Sequence, residues 1–87
     1  MITVETIDEQ TFKVTVAGQS TTTHMVTVEP AYYQKLTGGL VPIEELVKRS
    51  FEFLLDRESN TSILTRFDLP VIGHYFPEYE GTISKKI

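Results

Sequence analysis

The chain has 87 residues, 40% of them hydrophobic and 23% charged, with a net charge of −4 and no cysteine. A chain of this length makes one domain. The missing cysteine excludes disulfides, thiolate metal centres and cysteine nucleophiles together. The eight Lys and Arg are scattered, which argues against the basic face that nucleic-acid binders present to phosphates.

The first 29 residues read as β-structure. Ile2 to Ile7 is a β-prone run, and Asp8-Glu9-Gln10 is a polar break of hairpin length. Thr11 to Ala17 alternates strictly, with Phe12, Val14 and Val16 on one face and Thr11, Lys13 and Thr15 on the other. After the turn at Gly18-Gln19-Ser20, a third strand spans Thr21 to Glu29, with His24, Val26 and Val28 in one phase and Thr23, Met25 and Thr27 in the other. Such alternation predicts a three-stranded antiparallel meander with one face buried.

Residues 30–58 read as helices. Pro30 suits a first helical position, and Ala31 to Leu36 follows as a short helix that Gly38-Gly39 ends. Pro42 opens the main helix, which the pattern carries to Glu58, with Glu44 and Glu45 opposing the positive end of its dipole. Ile43, Leu46, Val47, Phe51, Leu54 and Leu55 recur at helical spacing, and Phe53 widens the apolar arc to about half the circumference. One sheet needs a narrower stripe than that, so the C-terminal segment or a second chain must cover the flank.

Residues 59–83 read as short C-terminal helices and residues 84–87 as a fraying tail. Ser59-Asn60-Thr61 is a break, Ser62 to Phe67 a short helix, Asp68 the next N-cap, and Val71 to Phe76 a helix that Pro77 stops. Leu69, Ile72 and Phe76 fall on one face and can dock against the flank that Phe53 exposes. The expected architecture is therefore α+β: a three-stranded antiparallel meander packed by one long amphipathic helix, with short C-terminal helices, in a single domain of residues 1–87.

No grouping carries catalytic chemistry. His24 shares its strand face with Val26 and Val28, as an edge or satisfied core histidine would, rather than a ligand. His74 is four residues before Glu78, but Pro77 interrupts the helix that would juxtapose them. The carboxylate pairs fall at surface turns or a helix start, whereas acid–base work needs a carboxylate desolvated in a cleft. No metal and no cofactor is expected. Tyr75 and Tyr79 carry the polar tips of interface aromatics. With Phe53 they form the candidate interaction surface.

The run Phe51-Glu52-Phe53-Leu54-Leu55-Asp56-Arg57-Glu58, followed by Ser62-Ile63-Leu64, Phe67-Asp68-Leu69, Val71-Ile72 and Tyr75-Phe76-Pro77-Glu78-Tyr79-Glu80, resembles a family of small uncharacterised prokaryotic proteins. That resemblance implies no activity. Residues 23–57, with Met25-Val26-Thr27-Val28 and Glu44-Glu45-Leu46-Val47, are similar to a ribbon-helix-helix unit. This similarity implies a dimer that inserts a paired strand into the DNA major groove, although the outward residues Thr23, Met25, Thr27 and Glu29 include no Lys or Arg. With no signal peptide visible and no cysteine, the expectation is a cytoplasmic, non-enzymatic protein-interaction or accessory domain. Its partner is a protein or a second copy, and a ribbon-helix-helix-like DNA-binding regulator is the alternative.

Overall fold

A row of β-branched and aromatic residues at every second position needs one face covered. The computed structural model, which describes Met1–Ile87, shows how that happens. Strands β1 (Ile2–Thr6), β2 (Thr11–Val16) and β3 (Thr22–Thr27) form the meander, with Val4 opposite Val14 and Phe12 opposite Val26. Phe12, Val14, Val16, His24, Val26 and Val28 are all buried, in the phase the alternation dictates.

The sheet has a fourth strand. β4 (Arg66–Asp68) lies parallel to β3, with Val26 opposite Phe67, so the order is β1-β2-β3-β4 and the sheet is mixed. The expected short helix over Ser62 to Phe67 is thus corrected to a 3-10 turn at Asn60–Ser62 followed by this strand. A parallel neighbour needs a crossover of a dozen or more residues, and the helical segment between β3 and β4 provides one. Asp68 does not cap a helix. Its carboxylate accepts the Thr27 hydroxyl across the β3–β4 pair instead.

Helices α1 (Pro30–Thr37) and α2 (Ile43–Leu55) make up the crossover. Gly38 (φ 62°) and Gly39 (φ 77°) end α1 in the left-handed region, where a Cβ would be strained. α2 is shorter than the pattern suggested, closing at Asp56. It buries Leu46, Val47, Ser50, Phe51, Phe53 and Leu54. Phe51 is fully buried, its ring centroid 5.4 Å from His24 and 6.0 Å from Phe67.

Two further helices, α3 (Val71–Tyr75) and α4 (Tyr79–Lys85), close the flank. α4 is a second correction: α3 does end before Pro77, as expected, but a further helix begins at Tyr79 after one turn, and the supposed tail is tied down. Ser84 Oγ donates to the Leu36 carbonyl at 3.3 Å, and Arg49 donates to the Lys86 carbonyl. Tyr79 and Ile83, one helical turn apart, are both fully buried. The Cα radius of gyration of 11.9 Å matches the roughly 12 Å of a compact chain of this length. The C-terminal segment, rather than a second chain, is therefore what covers the wide apolar arc of α2.

Candidate functional site

Of the three residues expected at an interaction surface, the structure leaves one outside. Phe53 is fully buried, with Phe76 edge-on at 6.0 Å, Tyr79 at 5.2 Å and the Arg57 guanidinium 3.5 Å above its ring. Tyr79 is buried too. Ser50 Oγ donates its only proton to the Leu46 carbonyl at 2.8 Å, so at 2.6 Å the Tyr79 hydroxyl donates to Ser50. Burial, not partner capture, explains both residues. A sequence signal for this existed. Ser50 interrupts the apolar stripe of α2 and needed a buried polar partner. Tyr75, by contrast, is 64% exposed.

Tyr75 stands at the rim of an apolar groove of about 230 Å³ between the end of α2, the segment around β4, and α3. Leu54, Ile63, Phe67 and Ile72 form its buried walls, with Leu64 and Tyr75 exposed at the mouth. Glu58 is its one carboxylate. The sequence reading missed Leu64. Adjacent Ile63 and Leu64 in a non-helical segment point to opposite sides, so when Ile63 enters the core Leu64 faces out.

A polar cluster at the start of β3 holds the backbone of the groove residue Leu64. The carbonyl of Leu64 can only accept, so His24 Nδ1 carries a proton and donates to it at 2.7 Å. Asn60 Nδ2 donates to Thr22 Oγ1 at 3.0 Å and to the Ser20 carbonyl at 2.7 Å. The Thr22 hydroxyl is then free to donate to His24 Nε2 at 2.9 Å. Both ring nitrogens are engaged, so His24 fixes the backbone that presents Leu64. His74 is exposed against Tyr75, with ring centroids 5.7 Å apart. No three acidic, His or Cys side chains gather in a cluster able to hold a metal ion.

A second recess, wider and polar, is lined by Gln10, Thr27, Glu29, Tyr32, Lys35 and Asp68. Beside it the Tyr32 hydroxyl donates to Glu80 at 2.8 Å, and Lys35 pairs with the same carboxylate at 3.1 Å. The Tyr32 bond, then Lys35, hold the Glu80 carboxyl below the usual range. Burial first, then Glu80, push the Tyr32 phenol up, and burial does the same to Tyr79.

These shifts have opposite consequences for stability. An unfolded chain ionises its tyrosines near pH ~10, while folded Tyr32 and Tyr79 hold their protons. Their contribution is complete below about pH 10 and is lost as pH rises through the folded values. Glu80, with its lowered value, contributes above about pH 4 and loses that contribution in acid. Urea midpoints should therefore fall between pH 9 and 11, and Tyr79→Phe should flatten that alkaline limb. An unchanged limb would remove Tyr79 from the buried proton donors.

No helix is long and apolar enough to cross a membrane. No protein-family model, curated protein or solved structure matches the chain.

Proposed function

We propose that the chain is a non-enzymatic protein-interaction or accessory domain, and that the groove beneath Leu64 and Tyr75 is its contact site. The observation that carries this reading is the exposure of two large apolar side chains at the mouth of an apolar recess. Size favours a protein ligand over a small molecule. Cofactor and drug-sized sites run from about 300 Å³ upward, whereas about 230 Å³ suits one or two side chains. Aromatic anchors in such recesses dominate protein contacts. Glu58, the groove's only carboxylate, favours a donor or cation beside the apolar anchor.

The DNA-binding alternative has less support. A ribbon-helix-helix dimer pairs its strand with the same strand of a second chain. Here β3 is hydrogen-bonded to β2 on one edge and to β4 on the other, so it has no free edge to offer.

The test is selection of a displayed peptide library against the whole chain. Selected peptides should carry paired apolar anchors, and Tyr75→Ala combined with Leu64→Ser should weaken their binding at least tenfold. Fold stability should stay within about 0.5 kcal/mol of wild type, as for exposed positions. Peptides that bind the double variant as well as wild type would remove the groove as the contact site.

A further inference from the structure

The sheet ends in two edges that are treated differently. At β4 the edge is short, its outward positions are Arg66 and Asp68, and Pro70 follows two residues later. Those are the devices by which proteins keep strand edges from pairing. At β1, Ile2-Thr3-Val4-Glu5-Thr6, there is no Lys, Arg or Pro, and the strand is longer.

The hydrogen-bond phase of β1 fixes what its edge offers. Ala17 N donates to the Met1 carbonyl and Ile7 N to the Thr11 carbonyl, both at 2.9 Å. In an antiparallel pair these bonds alternate, so the odd residues of β1 face β2, and Ile2, Val4 and Thr6 turn their N–H and C=O groups outward. None of those main-chain groups has a partner elsewhere in the chain. We infer that this edge pairs antiparallel with β1 of a second copy, about a two-fold axis at Val4, to make one continuous sheet.

Register selects that axis. Only even residues can bond outward, so a symmetric pair can centre on Thr3, Val4 or Glu5. Centring on Glu5 sets Glu5 directly against its own copy, and like charges placed so repel. Centring on Thr3 leaves Thr6 without a partner. Centring on Val4 opposes Ile2 to the partner's Thr6, and Val4 to its own copy, forming about six main-chain bonds in three bonded pairs. It also opposes Thr3 to the partner's Glu5, so no like charges stand directly opposite each other. The half-exposed side chains of Ile2 and Val4 gain cover on the helix side, and exposed Ile7 meets Met1 on the other. The sequence of this edge is complementary to itself, which favours a second copy over a foreign strand.

The inference does not rest on the groove. β1 is the far edge from β4, whose Phe67 lines the groove, so a dimer built this way leaves both grooves open at its ends.

Sedimentation equilibrium on the whole chain tests the inference, with two substitutions at the exposed Thr3. Thr3→Glu sets carboxylates against both copies of Glu5 and should weaken dimerisation about tenfold, whereas Thr3→Lys should tighten it by a similar factor. Hydrogen exchange supplies the second reading. The amides of Val4 and Thr6 should be protected only at concentrations where the dimer forms, while those of Thr3 and Glu5, bonded within the chain, are protected at all concentrations. A chain that stays monomeric at millimolar concentration overturns the proposal, and leaves the edge to a foreign strand or to solvent. A dimer indifferent to both substitutions, or with Val4 and Thr6 exchanging freely, also overturns it. Peptide binding in the groove would survive either failure.

Discussion

Phe51→Ala is expected to cost about 3–5 kcal/mol, the combined loss of transfer energy and the cavity left behind. Phe51 has no exposure and bridges α2 to the sheet, lying against His24 on β3 and Phe67 on β4. Its neighbours are held by strand pairing and cannot collapse cheaply into the gap. A small domain has a total stability of roughly 5 kcal/mol or a little more, so the variant should be largely unfolded at physiological temperature. Urea denaturation by far-UV circular dichroism measures this directly. A loss below about 1 kcal/mol, the range of surface substitutions, would remove Phe51 from the centre of the core.

Truncation after Asn60 has a still larger expected effect. It removes the buried side chains Ile63, Phe67, Leu69, Ile72, Tyr79 and Ile83. Each fully buried side chain of this kind contributes about 1.5–3 kcal/mol, so the sum exceeds what a domain this small holds in reserve. It also uncovers Phe53, leaves Ser50 without Tyr79, and strips β4 from the edge of β3. The product should aggregate or persist as a molten state, with helical far-UV signal, no near-UV signal and strong dye binding. A truncated chain that stays monomeric and unfolds cooperatively would contradict the closing role of residues 61–87.

The sequence was most legible where one periodicity ran unbroken. Phe12, Val14 and Val16 announced the buried face of β2, and the arc of α2 was wide enough to demand a second cover. β4 was not legible. Arg66-Phe67-Asp68 does alternate, but three residues are too few to distinguish a strand from a helical turn, and the pairing partner lies some 40 residues away. α4 was hidden for a different reason. Gly81 and Thr82 give it poor intrinsic propensity, and it is held by what Tyr79 and Ile83 bury rather than by local preference. The candidate surface was misread through the same gap. Phe53 and Tyr79 read as exposed only while the segment that packs them together had no place in space. Tyr75 remained outside, and the groove it rims depends on the course of β4.

The grooves and the β1 edge lie at opposite ends of the sheet, so a paired chain would carry one apolar recess towards each end of the joined sheet. Such an arrangement would suit bivalent capture of a partner.

The most direct test is a methyl and aromatic NMR titration of the whole chain with a selected peptide. Shifts are expected to centre on Leu54, Ile63, Leu64, Val71, Ile72 and Tyr75, with Thr27, Ala31 and Tyr32 of the polar recess unmoved. Shifts centred on the polar recess, or on the threonine-bearing face around Met25, would contradict it.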